Sequence, residues 1–322
     1  MAHNFSRRAF LAAASGLPAA AGLRASATLA HPPSPGQSVS QRTGGFRGEI
    51  VFFSKPLPQM DWQRLAANVK RLGFDGIDLT VRPEGHVLPE RVEEDLPKAV
   101  AAIRREGLSV PMITTGLVSA SDPAARPTFS TAAALSIPYL KPDYYRYELK
   151  DVRSELARAA DRLRSLVELA KEYRVQIGFH NHEEYIGAPL WDIASVIEPL
   201  DPAWIGYYFD VRHATAEGGV GCWKISTNLV SRRLKMLAVK DFFWEKTPKG
   251  WRDGNCPLGE GMVNWKYFFR EMARAGFHGP ISLHLEYDFP GSTTAEREKN
   301  TLEAAGRDLT FLRARIEEAY GG

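Results

Sequence analysis

The chain has few cysteines, little excess of one sign of charge, and no long apolar runs. Its 322 residues include two cysteines, too few for a disulfide-stapled scaffold or a four-cysteine zinc site. No run of 18 apolar residues occurs, so no membrane-spanning helix is expected in the folded product. Residues 1–30 hold three of the 41 basic residues and no acid, and the basic residues that remain equal the 38 acidic ones. A neutral body removes the main support for a nucleic-acid-binding protein.

Two common glycine motifs are also missing. The chain contains neither a phosphate-binding glycine loop nor the Gly-x-Ser-x-Gly turn of serine hydrolases. The amino-acid composition is close to the globular average, with 44% hydrophobic and 25% charged residues and a mean hydropathy of −0.27. This composition excludes a disordered chain, a collagen-like fibre and a coiled coil.

The N-terminal residues have the pattern of an export signal. The run RRAFL at 7–11 resembles the twin-arginine translocation motif, an alanine-rich apolar stretch follows, and the Ala-Ser-Ala at 25–27 offers a cleavage site. The alternative is an ordinary amphipathic N-terminus. We therefore expect a signal peptide over 1–27, a flexible tether rich in Pro, Ser and Gly over 28–47, and a periplasmic or secreted mature protein.

From residue 48 onward, short β-rich runs alternate with amphipathic segments. Strands are predicted at 49–54, 76–81, 109–115, 139–145, 175–180, 205–210, 234–241 and 280–287. Helices are predicted at 61–72, 89–106, 122–136, 151–173, 190–199, 225–233, 263–275 and 293–319. Eight such units indicate an α/β fold, a single-domain (β/α)8 TIM barrel over residues 48–319. The alternative, a doubly wound open sheet, usually carries glycine in its first turn, and the turn SKPLPQM has none.

Most of the histidines follow or end predicted strands. They are His86, His180, His182, His213 and His284. The charged residues in equivalent positions are Asp210, Lys240, Asp241 and Glu286. In a (β/α)8 barrel these positions share one rim, where the active site lies. Because a dry core cannot hold so many unpaired polar groups, we expect them to face a solvent-filled pocket, a metal or a polar ligand.

Five segments at these strand ends resemble the xylose isomerase-like TIM-barrel superfamily of sugar isomerases, ketose epimerases and inosose dehydratases. They are GFHNH (178–182), YYFDVRHATAEGG (207–219), AVKD (238–241), LGEGMVNW (258–265) and GFHGPISLHLEYD (276–288). The resemblance covers about residues 48–319. It implies one divalent metal, held by Glu on strand five, Asp on strand six, His on strand seven and Glu on strand eight.

The implied metal site is matched only in part. Asp210 stands at the strand-six aspartate, whereas His180 and His284 stand where the two glutamates are expected and Ala238 replaces the strand-seven histidine. Imidazole is an acceptable ligand for Zn, Mn, Fe or Co, so His180, Asp210 and either His284 or Glu286 are candidates to bind one such ion. The alternative is a barrel that has lost its metal and binds a sugar through hydrogen bonds.

Further residues near the rim are candidates for substrate binding. They are Arg82, His86, His213, Trp223 and Glu184. A guanidinium pairs well with a carboxylate or a pair of hydroxyls, and aromatic rings suit the C–H faces of sugars. The alternatives are a salt-bridged loop for Arg82 and His86 and ordinary packing for Trp223. Glu183 or Glu184 is a candidate replacement for the missing strand-five carboxylate.

The resemblance implies isomerase, epimerase or related lyase chemistry on a small carbohydrate. Removal of a proton next to a carbonyl gives an enediolate, whose oxyanion a metal or Lys240 would stabilise. Glu286 or a histidine such as His182 would take the proton. Export favours a non-phosphorylated sugar or keto-sugar derivative. The alternative function is a non-catalytic periplasmic sugar-binding protein on a barrel with a degenerate metal site.

The two cysteines fall in the loops predicted after strands six and seven. These loops are neighbours on a barrel rim, and a Cys222–Cys256 bridge in an oxidising compartment would stabilise the fold by roughly 3–4 kcal/mol. Two separate thiols are the alternative, because twin-arginine substrates fold in the reducing cytoplasm before export.

Overall fold

Eight parallel strands close into a barrel in the computed structural model, which describes residues 45–321. The strands of this part of the chain are β1 (Ile50–Phe53), β2 (Gly76–Val81), β3 (Ser109–Thr115), β4 (Tyr139–Lys141), β5 (Gln176–His180), β6 (Ile205–Asp210), β7 (Leu234–Val239), β8 (Asp241–Thr247), β9 (Gly250–Cys256) and β10 (Ile281–Leu283). The ring runs β1-β10-β7-β6-β5-β4-β3-β2 and closes where β2 pairs with β1. The predicted (β/α)8 TIM barrel is confirmed.

The helices surround the barrel and begin and end where the sequence supplies caps. They are α1 (Trp62–Leu72), α2 (Val92–Arg105), α3 (Ala125–Ala134), α4 (Val152–Tyr173), α5 (Trp191–Ile197), α6 (Val211–Val230), α7 (Trp265–Arg274) and α8 (Thr294–Tyr320). Asp61 caps α1 by accepting the Arg64 N–H, and Gly73 ends it at a φ of +93°. Thr293 and Glu296 form a capping box at the start of α8.

The predictions after strands six and seven were wrong in two ways. Helix α6 begins at Val211, not near residue 225, because the Asp210 carboxylate accepts the His213 N–H and caps the helix directly after β6. The backbone is not helical at Gly219, where φ is +57°, so α6 consists of two helical segments that meet at a kink, and the second covers part of the helix predicted at 225–233. The segment predicted as a long loop is the antiparallel hairpin β8–β9, which turns at Gly250 with a φ of +112°.

Strand eight of the barrel is shorter than predicted. Only Ile281–Leu283 pair with β1 and β7, although the pattern of apolar residues continues to residue 287. The His284 N–H still donates to the Val239 carbonyl (3.0 Å), and the residues from there to Glu286 then leave the ladder and rise into the barrel mouth. Their side chains are therefore placed by contacts across the mouth and not by sheet register.

The inside of the barrel changes from apolar to polar toward the mouth. Val51, Met112, Tyr208, Met236 and Ala238 form the apolar cluster inside the ring. Above it, the fully buried Asp78 carboxylate accepts hydrogen bonds from Thr114 (2.8 Å), Ser282 (2.8 Å) and Tyr208 (3.2 Å). Burial raises the pKa of Asp78 to about 6 even with these donors present. Asp78 thus anchors a polar layer beneath the mouth.

The two cysteines are free. Cys222 lies in α6 and Cys256 ends β9, and neither forms a disulfide. The structure therefore corresponds to the alternative of two separate thiols. Burial raises the pKa of the Cys256 thiol to about 12, so this thiol stays protonated at neutral pH.

The N-terminal predictions are largely outside the part of the chain that the structure covers. The signal peptide predicted over 1–27 lies wholly outside the described residues, as does most of the tether predicted over 28–47. Between residues 45 and 321, no helix combines the length and apolar character needed to cross a bilayer.

Candidate active site at the barrel mouth

A narrow pocket of about 60 Å³ enters the barrel at the C-terminal ends of its strands. The imidazole and charged side chains that line it are Lys55, Arg82, Lys141, His180, His182, His284 and Glu286. Lys55 and Arg82 also line a wider cleft of about 760 Å³ beside it, together with Asp143. The mouth therefore has a narrow inner chamber and a roomy entrance that share two basic residues.

Lys240 occupies the centre of the charged groups below this pocket. Its Nζ lies 2.6 Å from Oε2 of Glu286 and 3.5 Å from Oδ2 of Asp210. Burial opposes its charge, but Glu286 and Asp210 raise the pKa of Lys240 above its ordinary value. Burial likewise opposes ionisation of Glu286, yet the Lys240 and Lys55 ammonium groups hold the pKa of this carboxyl well below its ordinary value. Both partners are therefore charged at neutral pH.

Asp210 connects this ion pair to the histidines. Its Oδ2 lies 3.3 Å from Nε2 of His180 and 3.7 Å from Nε2 of His213. Burial alone would raise the pKa of Asp210, but the Lys240 ammonium and the His213 backbone N–H together lower it. The Asn181 side chain bonds both the N–H and the C=O of Asp210 and holds the strand end in place. Asp210 is thus a fixed anion beside Lys240.

The buried histidines of the mouth are neutral. Burial lowers the pKa of His180, His213 and His284 well below the ordinary value of 6.5. Nδ1 of His180 is 2.8 Å from the Tyr144 hydroxyl, and Nε2 of His284 is 2.8 Å from the Tyr208 hydroxyl. Neutral imidazoles in such networks are available as proton acceptors.

His182 is the most accessible imidazole of the group. It is half-buried, and its ring lies 3.9 Å from the His213 ring and 4.7 Å from the Tyr144 ring, measured between centroids. Burial, followed by the positive charge of Lys240, lowers the pKa of His182. An unprotonated imidazole that faces the pocket is well suited to accept a substrate proton.

Four of the five residues predicted to bind substrate lie outside the lining of the inner pocket. His86 sits in the loop after β2, where its Nδ1 is 3.2 Å from the Thr80 hydroxyl. Trp223 is buried in α6 and packs edge-on against Tyr267 of α7, at 5.4 Å between ring centroids. Glu184 is exposed in the loop after β5. Arg82 reaches the pocket, and His213 lies directly behind it.

Asp241 anchors a loop instead of facing the pocket. Its carboxylate accepts hydrogen bonds from the indole of Trp265 (2.8 Å) and from the backbone N–H groups of Gly259 (3.0 Å) and Val263 (3.2 Å). These bonds fasten the LGEGMVNW segment beneath the β8–β9 hairpin. Lys240 therefore lies in the mouth, whereas the adjacent Asp241 stabilises the loop.

Lys141 and Tyr144 are pocket residues that sequence reasoning missed. Lys141 ends β4, and its buried Nζ lies 3.6 Å from the centre of the Tyr144 ring and 3.9 Å from Asp143. The strand predicted over YLKPDYY runs to residue 145, whereas β4 ends at Lys141, so the prediction placed this lysine inside the strand and not at the rim. The metal site that the resemblance implies also draws on no residue of strand four.

The residues present do not fit the four-ligand metal site that the resemblance implies. Ala238 lies level with Asp210 and Ser282 on the neighbouring strands, and its methyl group cannot bind a metal. The Lys240 ammonium sits between the Asp210 and Glu286 carboxylates and repels a second cation there. Among residues 45–321, no three His, Cys, Asp or Glu side chains form a group that could hold a metal ion. His180, Asp210 and His284 thus share the rim without the geometry predicted for metal ligands.

Restoring the missing imidazole is expected to create metal affinity. We expect the double variant Ala238→His, Lys240→Met to bind Mn²⁺ at least about tenfold more tightly than Lys240→Met alone, because it adds a ligand and removes the competing ammonium. Calorimetric titration of both proteins with Mn²⁺ measures the difference. Equal affinities would show that Ala238 does not lie in a direction from which a metal can be reached.

Comparison with known proteins agrees with this architecture. A family model described as a xylose isomerase-like TIM barrel matches residues 66–315. A search of curated proteins found no significant match. The solved D-psicose 3-epimerase of Clostridium cellulolyticum H10 with D-tagatose is 13% identical, with a TM-score of 0.62 over 83% of this chain and 99% of that chain.

Two further solved structures have a similar fold. The D-allulose 3-epimerase of Methylomonas sp. in complex with D-allulose is 15% identical, with a TM-score of 0.63 over 84% of this chain and 98% of that chain. A xylose isomerase-like TIM barrel protein of Mycobacterium smegmatis in complex with magnesium is 17% identical, with a TM-score of 0.59 over 81% and 98%. At these identities the structures show a shared fold. Because the family model spans most of the barrel, the chain belongs to the xylose isomerase-like TIM barrel family.

Proposed function

We propose that the protein is a carbohydrate isomerase or epimerase, or a related lyase, that works through an enediolate on a non-phosphorylated sugar or keto-sugar derivative. One observation carries the proposal: a buried, charged Lys240 held between Asp210 and Glu286, beside neutral imidazoles, at the catalytic end of the barrel. The two epimerases named above, solved with D-tagatose and D-allulose, support a small sugar as substrate.

Lys240 is the group that stabilises the developing negative charge. When the proton next to the substrate carbonyl is removed, the electron pair of the C–H bond moves into the carbon skeleton and charge collects on the carbonyl oxygen. A buried ammonium already held by Asp210 and Glu286 needs no reorganisation to meet that charge. Groups of this kind contribute about 10²–10³-fold to the rate.

The sequence predicts Glu286 or His182 as the proton acceptor, and His182 is the better of the two. Glu286 is held as a carboxylate by Lys240 and Lys55, so its affinity for a proton is low. The His182 imidazole is neutral and faces the pocket. For isomerisation it accepts the α-proton and returns it to the neighbouring carbon of the enediolate, while Glu286 orients Lys240. For epimerisation a group across the pocket delivers the proton to the opposite face of the same carbon. If a leaving group stands β to the carbonyl, its C–O bond breaks instead and the leaving oxygen takes the electron pair, which gives the lyase outcome.

The proposed location follows from the N-terminal sequence and not from the fold. The twin-arginine-like run at 7–11 supports export, and an exported enzyme meets free sugars instead of phosphorylated metabolites. Fractionation of cells that express the full chain tests this part separately. Recovery of the unprocessed protein in the cytoplasm would contradict it.

Hydrogen exchange with solvent tests the function even while the product is unidentified. The protein is incubated in D2O with D-allulose, D-tagatose, D-fructose and 3-keto-glucosides, and NMR follows loss of the α C–H signal. We expect exchange with at least one sugar in the wild type and in Lys235→Met, a lysine at the opposite end of β7 that bonds Gln176. Saturable sugar binding with no exchange would establish the alternative, a non-catalytic binding protein.

A further inference from the structure

Lys141 is buried in the pocket without a carboxylate of the described residues within hydrogen-bond distance of its Nζ, although the buried Asp78 carboxylate lies near enough to favour its charge. Its side chain is 2% exposed, and its Nζ has no hydrogen-bond partner among residues 45–321. The nearest carboxylate, on Asp143, is 3.9 Å away and 42% exposed, and the other contact is the face of the Tyr144 ring. A buried ammonium with its donors unused costs stability unless a partner arrives or the proton leaves.

Arg82 brings a second cation to the same place. It is half-buried and lines the inner pocket together with Lys141, and no side-chain ion pair of Arg82 occurs within residues 45–321. Burial, together with repulsion from Arg82, lowers the pKa of Lys141 to about 7. Burial and the neighbouring cation therefore both disfavour the charged form of Lys141.

The pocket has more positive than negative charge. Lys55, Arg82 and Lys141 line it, and Glu286, the acid in the lining that the described residues provide, is already shared by Lys55 and Lys240. An anionic group placed between Arg82 and Lys141 would use the donors of both and restore the balance of charge.

The topology puts these two cations across the barrel from Glu286 and Asp210, the carboxylates that hold Lys240. In the ring of eight strands, β4, which carries Lys141, lies opposite β10, and β2, which leads to Arg82, lies opposite β6. The ends of β10 and β6 lead to Glu286 and Asp210. A substrate held with its carbonyl at Lys240 therefore directs its far end toward Arg82 and Lys141.

We propose that the substrate is a sugar acid, whose carboxylate is bound by Lys141 and Arg82 while its carbonyl end meets Lys240. This inference rests on the proposed function, since it names the substrate class of the same site. The planar fork of a guanidinium matches a carboxylate with two parallel hydrogen bonds. A carboxylate is also the smaller of the common sugar anions, which suits a chamber of about 60 Å³.

Calorimetric binding tests the inference without any turnover. The wild type is titrated with D-glucuronate against D-glucose, and with D-galacturonate against D-galactose. We expect at least one uronate to bind about tenfold or more tightly than its neutral parent. At pH 8, binding should take up protons, because an anion beside Lys141 favours the ammonium; titrations in buffers of different ionisation enthalpy measure the uptake.

Variants separate charge recognition from folding. We expect Lys141→Met to lose the preference for the uronate over its neutral parent and to lose the proton uptake on binding. Lys235→Met, a half-buried lysine at the other end of the barrel, should keep both. If Lys141→Met fails to fold, Arg82→Met replaces it as the test, with loss of the uronate preference expected.

Three results would overturn the inference. They are equal binding of both uronates and their neutral parents, a preference that survives Lys141→Met, and D-glucose 6-phosphate binding more tightly than D-glucuronate, which would make phosphate the recognised anion. Exchange of neutral sugars without any preference for uronates would leave the proposed function standing and reject only this inference. Uronate binding with no exchange of the uronates or of any other sugar would reject the proposed catalysis and leave only a carboxylate-binding site.

Discussion

Lys240→Met is expected to slow solvent hydrogen exchange into the substrate by about 10²–10³-fold or more. The ammonium that meets the carbonyl oxygen is lost, and methionine cannot replace it. The same change leaves Asp210 buried without its cation, so we also expect the free energy of unfolding to fall by about 3–5 kcal/mol. NMR exchange rates in D2O and urea unfolding measure the two effects.

Two further variants separate lost chemistry from lost stability. Lys235→Met removes a lysine from the same strand at the barrel's other end, where its Nζ is 2.6 Å from Gln176, and should leave exchange unchanged. Lys240→Arg keeps the charge but changes the geometry and should recover part of the stability and less of the activity. A folded Lys240→Met protein with exchange near the wild-type rate would rule out the proposed role of Lys240.

Asp210→Asn is expected to reduce exchange by at least about 10²-fold while stability changes by less than about 2 kcal/mol. Asparagine also accepts the His213 N–H, so the cap of α6 remains. The negative charge beside Lys240 and His180 is lost, and Lys240 then pairs with Glu286 alone. Exchange kinetics and urea unfolding, measured on the same preparation, test both halves of this prediction.

Asp201→Asn serves as the matched control for Asp210→Asn. Asp201 is exposed before β6, and its side chain accepts the Ala203 N–H at 2.8 Å, so it too is an aspartate with a local capping role. We expect this variant to exchange hydrogen at the wild-type rate. An unfolded Asp210→Asn protein, or one with full activity, would show that Asp210 is not the charged centre described above.

Much of the site was predictable because a strand constrains its side chains locally. Alternation along each strand decides which residues face inward, and the parallel arrangement brings all C-terminal ends to one rim. Asp210, Lys240 and Glu286 were therefore assigned to the mouth from their positions alone, and the structure joins them within hydrogen-bond or ion-pair distance. The prediction of Arg82 at the pocket followed from the same rule.

Strand position alone could not decide whether the rim residues bind a metal. His180, Asp210 and His284 do share the rim, but coordination depends on which atom each side chain turns toward a common point. Tyr144 and Tyr208 hold two of the imidazoles by hydrogen bonds, and Lys240 lies between the carboxylates. These partners come from strands far apart in the chain, so spacing in the sequence could not show that they compete with a metal.

The sequence by itself determined the barrel, the order of its elements and the rim on which the polar residues gather, because strand and helix periodicity and end caps are local properties. Only the tertiary structure decided that α6 begins directly after Asp210, that the loop after β7 is a hairpin, and that Lys141 is buried with no hydrogen-bond partner for its Nζ among the described residues. The physical reason is that pairing, burial and charge balance are set by neighbours across the barrel. The sequence around a lysine at a strand end does not show whether a carboxylate across the barrel pairs with it.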